Sequence, residues 1–168
     1  MLLDFIDTPA PGITGRENRD EVSTLDWETL LWDCFPGDVV IATPLASIQT
    51  TLGWVPGLHF ALSLFRVSQS LLESRDGETF EYQFTESADK ISFVRTGVNV
   101  VISATMSESE LKVPVLEFRF DCADFLVRTV SALSTRAPGL LRHERMVARV
   151  EEARDIVNHL SKVDPEQR

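Results

Sequence analysis

Between Asp76 and Pro114 the apolar residues recur at every second position, whereas on either side they recur at every third or fourth. No other feature restricts the fold so tightly. A period of two sends alternate side chains to opposite faces of a strand, and a period near 3.6 lines them along one stripe of a helix. In "TFEYQF", Phe80, Tyr82 and Phe84 share one side, opposite Glu81 and Gln83. "KISFVR" puts Ile91 and Phe93 together, and "VNVVISA", after the tight turn at Thr96-Gly97, aligns Val98, Val100 and Ile102. "ELKVPV" adds a short edge strand, since Pro114 lacks the donor a central strand needs. The pattern predicts a three- to four-stranded antiparallel meander over about residues 79–115, one face apolar and the other wet.

Helices flank it. From Leu58 to Ser74, Phe60, Leu64, Val67 and Leu71 fall on one helical face with Leu58, Leu62, Phe65 and Leu72 beside it, which predicts a largely buried helix. The alternation Leu58, Phe60, Leu62, Leu64 also suits a strand. After the meander, Phe118, Cys122, Phe125, Leu126, Thr129, Val130 and Leu133 form a second stripe, which "APG" at 137–139 ends. Met146, Val147, Val150, Ala153, Val157 and Leu160 form a third. Upstream, "DTPAPGITGRENRDEV" at 7–22 reads as irregular. A helix capped by Ser23 or Thr24 should follow it and stop at "FPGD". A brief strand from Val39 to Ala42 and a short helix opening near Pro44 and ending at Gly53 complete the reading. The chain thus divides into an irregular acidic arm, 1–22, and a single α+β domain, 23–168, with helices segregated on either side of the meander.

At 168 residues, 43% hydrophobic and 25% charged, the chain is long and apolar enough for one core without metals or cross-links. No apolar run approaches the roughly 20 residues that span a bilayer. The opening "MLLDFIDTPAPG" carries acids where a secretory signal carries bases, so the expected compartment is the cytoplasm. There Cys34 and Cys122 would be buried free thiols. The net charge of −10 is uneven: −7 over 1–38, zero over 39–77, −5 over 78–124 and +2 over 125–168. Such a field repels nucleic acid and anionic membrane and attracts basic partners.

Catalytic signatures are missing from the sequence. His59, His143 and His159 are far apart, and neither cysteine has a neighbouring histidine or a C-x-x-C partner, so neither a metal nor a cofactor is expected. There is no G-x-S-x-G and no glycine-rich phosphate loop. The nearby pairs Asp121/Asp124 and Glu108/Glu110 are what an acidic chain produces by chance. A short basic stripe, Arg142, Arg145 and Arg149, can pair with the acidic N-terminal region or with Glu152.

The stretch most suggestive of function is "LDWETLLWDCFPGD", Leu25 to Asp38. On a helix Trp27, Leu30, Leu31, Cys34 and Phe35 make one core-facing stripe. Trp32 lies outside it, one turn beyond Glu28, with Asp26 and Asp33 on the remaining polar surface. Tryptophan among carboxylates suits an interface: the ring inserts while the charges steer a basic partner. Trp32, Glu28, Asp33 and Asp26 are therefore the candidate partner-binding residues. The alternative is that the 7–22 arm or the "WVPG" loop covers Trp32.

The order "TFEYQFTESADKISFVRTGVNVVISA", "ELKVPVLEF", "FDCADFLVRTVSALSTRAPGL" resembles, at the level of pattern, the small acidic immunity-type proteins encoded beside bacterial toxins. The resemblance covers the C-terminal two thirds of the chain and transfers no site residue. It implies a non-enzymatic cytoplasmic protein that binds and blocks a cognate toxin, such as a basic nuclease. Two other classes fit the same composition: a secretion or assembly chaperone, for which a homodimer is expected, and a small enzyme or ligand-binding domain with a pocket between sheet and helices.

Overall fold

The computed structural model describes residues 1–18 and 21–161. Its second half follows the period-two window. Strands β5 (Thr79–Gln83), β6 (Lys90–Thr96), β7 (Asn99–Ala104) and β8 (Ser107–Pro114) form an antiparallel meander in the order β5-β6-β7-β8. Tyr82, Phe84, Ile91, Phe93, Val100, Ile102, Leu111 and Val113 are buried on its inner face. Val98 departs from the expectation. It sits in the β6–β7 turn, 76% exposed, because Gly97 at φ +59° reverses the chain before the strand begins.

Two long helices, α2 (Gly57–Glu73) and α3 (Val115–Arg136), cover that face and pack on each other. Of the two periods open for residues 58–64, the helical one prevails. Every residue from Leu58 to Phe65 except His59 and Ser63 is buried, so the segment presents apolar surface on more sides than a half-exposed strand could use. A fourth helix, α4 (Glu144–Leu160), packs against α3 through Met146, Val150 and Ala153. The fold is α+β, as the segregation of periods predicts. No helix among the described residues is long and apolar enough to cross a membrane.

The N-terminal region differs from its reading in four places. Residues 2–6, assigned to the irregular arm, are strand β1 (Leu2–Ile6), antiparallel to β2 (Pro36–Ala42), with Leu3 buried. Arg19 and Asp20 of that arm lie outside the described residues. The helix expected from Pro44 to Gly53 is instead strand β3 (Ser47–Gln49), paired with β2. The two-residue β4 (Val55–Pro56) follows it, also on β2. The physical reason lies in Ser47, Ile48, Gln49 and Thr50, which alternate exposed and buried and offer a single large apolar side chain, Ile48. Leu45, 96% exposed at the hairpin tip, adds nothing to a helical stripe.

The first helix, α1 (Trp27–Trp32), is one and a half turns long, and its cap is Asp26 rather than Ser23 or Thr24. Asp26 accepts hydrogen bonds from the Thr29 N–H and hydroxyl, both at 2.9 Å. Ser23 and Thr24 bond back to Glu21 within a preceding 3-10 turn. The predicted stripe is also cut short. Cys34 and Phe35 are buried, but beyond the helix end: Asp33 caps α1, and Phe35, at φ +54°, turns the chain into β2.

A left-handed phenylalanine is strained, and three contacts hold it. Its ring is fully buried, its N–H donates to the Glu17 carboxylate at 3.0 Å, and the Arg136 guanidinium lies over the ring, 5.4 Å from its centre. Arg136 also pairs with Asp7 at 2.8 Å and Glu17 at 3.5 Å. The same region ties the arm down through backbone bonds, Ala10 N–H to Gly53 O and Arg16 N–H to Asp33 O. Gly53, at φ +67°, leaves no room for a side chain, since a Cβ there would lie 2.5 Å from Ala10.

Glu17→Ala strands a buried N–H and part of an arginine, and should cost about 2–4 kcal/mol. Glu17→Gln keeps an acceptor and should cost less. Urea unfolding of the two variants beside the parent measures the difference, and equal losses would contradict the account.

Candidate functional site

The end of α1 brings Trp32 over the first turn of α2. Its ring stacks on His59, with ring centres 3.6 Å apart and planes inclined by 30°. His59 Nδ1 lies 3.2 Å from the Tyr82 hydroxyl, and Tyr82 packs edge-on against Phe60 and Phe84. A chain of rings therefore runs from the solvent face of Trp32 into the core beneath the meander. Trp32 keeps 40% of its surface exposed.

The stack separates two concavities. On one side Trp32, Asp33, Trp54 and Glu86, with Thr14 and Arg16 of the arm, enclose an open cleft of about 420 Å³. Both alternatives weighed for Trp32 contain part of this arrangement: the arm and the "WVPG" loop both line the cleft beside Trp32, and 40% of the residue stays exposed. On the other side a groove of about 280 Å³ runs between α2 and β5.

The four candidate residues divide by what they touch. Glu28 precedes Trp32 by one helical turn and Asp33 follows it, so both sit beside the exposed ring. Arg16 lies 4.0 Å from Asp33, an exposed and weak pair. Asp26 occupies the far end of the helix, where its hydrogen bonds to Thr29 lower its pKa. Other acids of the N-terminal region are engaged internally. Asp38 accepts from the Thr50 hydroxyl and from the N–H groups of Leu52 and Gly53, and Glu17 and Asp7 meet Arg136. Much of the local charge excess therefore organises loops, leaving Glu28 and Asp33 beside Trp32.

Cys34 and Cys122 are unpaired and buried; burial pushes the Cys34 thiol up to about 11 and Cys122 well above the usual thiol range. Both remain protonated at neutral pH. His143 is partly buried, with Nε2 2.9 Å from Val22 O. In the basic stripe, Arg149 pairs with Glu152 at 2.8 Å and Arg145 lies over Trp27. Among the described residues no group of three or more His, Cys, Asp or Glu could hold a metal ion.

His59 is the residue of this candidate site that sequence reasoning missed. Nothing in its neighbourhood marks it, since Trp32 and Tyr82 reach it only in the folded chain. Burial, with a smaller contribution from the Arg66 charge, lowers its pKa to about 4, so the ring stacked on Trp32 is neutral at pH 7. Comparison with known families, with curated proteins and with solved structures finds no match to the chain.

A histidine with a depressed folded pKa is protonated more readily when unfolded. Its contribution to stability is therefore complete above pH 6.5 and is lost as pH falls toward 4. Allowing for solvent screening at the partly exposed ring, the loss should be on the order of 1–2 kcal/mol. Urea unfolding at pH 7 and pH 4.5 should show a smaller pH dependence in His59→Gln than in the parent; identical slopes would place the proton-sensitive group elsewhere.

Proposed function

We propose that the chain is a non-catalytic binding protein of the immunity type, which neutralises a basic, nuclease-like toxin by docking on it. The observation that carries this reading is Trp32: a large ring left 40% exposed, held rigidly from behind by His59 and flanked by Glu28 and Asp33. A rigid aromatic loses little conformational freedom on binding. Carboxylates beside it raise the encounter rate with a cationic surface and disfavour anionic competitors. The net charge of −10 adds a long-range component of the same sign. The cleft beyond Trp32 gives a projecting side chain of the partner a place to enter, between Trp54 and the carboxylates of Asp33 and Glu86. An arginine or lysine fits those walls, its stem against the rings and its charge displacing the exposed Arg16 from Asp33 at the rim.

The test uses the protein as bait in extracts of its source cells, together with Trp32→Ala, Glu28→Lys and Asp33→Lys. The two charge reversals change exposed side chains and should leave the unfolding midpoint within about 0.5 kcal/mol of the parent. A basic protein should be retained by the parent, released by salt and held at least about tenfold more weakly by each variant. Equimolar parent protein should abolish the toxic activity of the purified partner. Equal retention by all four baits, or an activity unaffected by the complex, overturns the proposal.

A further inference from the structure

The groove on the other side of the stack has one wall of unpaired backbone. Phe84 N–H donates to Asp89 O at 3.1 Å and Arg95 N–H donates to Glu78 O at 3.0 Å. With the register Thr79↔Val94 to Gln83↔Lys90, these bonds assign the even-numbered residues of β5 to the ladder with β6. Alternation then points the N–H and C=O groups of Thr79, Glu81 and Gln83 to the opposite edge. Among the described residues no strand pairs with that edge. An open edge of this kind is a template for another strand unless charge, proline or a covering element blocks it.

The other wall is α2. His59, Ser63, Arg66 and Ser70, spaced four, three and four residues apart, line the groove along one helical face. Eleven residues of helix rise about 16 Å, and the four steps of β5 rise about 14 Å, so helix and strand present matching lengths. Val67 and Phe80, both partly buried, add apolar surface to the groove. Arg66 is exposed and, among the described residues, no carboxylate pairs with it. The wall facing the free edge is thus cationic within a chain of strongly negative net charge.

We propose that this groove binds an extended peptide segment of a partner protein, which adds to β5 as a fifth strand and places an acidic side chain against Arg66. The backbone of the edge supplies affinity for any extended chain, and the helix wall selects among them. Peptide side chains that point inward meet Val67 and Phe80 or the Arg66 charge. A second copy of this chain is a poor occupant. Antiparallel pairing of β5 with itself about Glu81 would bring Phe80 and Tyr82 of the second copy, and no carboxylate, to the Arg66 side, while Glu81 stays paired with Lys90 on the other face. The proposal uses residues other than Glu28, Trp32 and Asp33 and a charge preference opposite to theirs, so either reading can fail without the other.

The test is titration of the ¹⁵N-labelled protein with two blocked heptapeptides, Thr-Val-Thr-Glu-Thr-Val-Thr and its counterpart with lysine at the centre. With the glutamate peptide, saturable amide shifts are expected at Thr79, Glu81, Gln83 and Arg66, and the lysine peptide should bind about tenfold more weakly. Arg66→Glu should reverse the preference. Glu81→Pro removes an outward N–H and the exposed side-chain pair with Lys90 but no backbone bond of the β6 ladder, so it should keep the fold and abolish the shifts. Absence of saturable shifts in the folded parent, the same charge preference after Arg66→Glu, unaltered binding by a folded Glu81→Pro, or a concentration-dependent dimer that masks the same amides overturns the proposal. Should Glu81→Pro fail to fold, the charge reversal at Arg66 decides alone.

Discussion

The carboxylate of Glu17, buried against the N–H of Phe35 and the guanidinium of Arg136, is the contact on which the N-terminal architecture depends. It stabilises a left-handed phenylalanine at the junction between the end of α1 and the start of β2. A straight continuation of the helix would carry Cys34 and Phe35 along the stripe of Leu30 and leave Trp32 in mid-helix. The reversal instead leaves Trp32 near the last turn, where it can lean across to the start of α2. Charge burial is costly unless every lone pair is engaged; here the cost positions an aromatic surface.

Dividing the acidic residues by their partners changes the meaning of the net charge. A formal excess of −7 over residues 1–38 reads as one electrostatic patch. In the folded chain Glu17, Asp26 and Asp38 are hydrogen-bonded within the N-terminal scaffold, and Asp7 is ion-paired with Arg136 at the end of α3. Acidity in this region is thus partly a folding device, since carboxylates satisfy the orphan N–H groups of turns and of a helix start. The two acids flanking Trp32 form a smaller and more local feature than composition suggests.

The meander was legible because Phe80, Tyr82, Phe84, Ile91, Phe93, Val100 and Ile102 alternate over several strands, and a one-residue slip would expose them all. The helices α2, α3 and α4 were legible for the corresponding reason. What escaped were segments whose structure is set by distant partners. Strand β3 has only Ile48 to signal it and exists because β2 offers an edge. Strand β1 docks through a five-residue register with β2 that local pattern does not encode. At the site, Trp32 stood out by its mismatch with the core stripe, and Glu28 and Asp33 by adjacency. His59 and Arg66 did not, since a ring stack and an open strand edge are products of tertiary contact.

The Trp32–His59 stack is a party wall between cleft and groove, with one ring facing each side. Any occupant that tilts Trp32 must also shift the imidazole behind it, and with it the Tyr82 hydroxyl bonded to that imidazole. For such an occupant the cleft and the groove are coupled through the stack. Linkage requires the influence to be equal in both directions, so a ligand that tightens or loosens its neighbour's hold is itself tightened or loosened by the same factor.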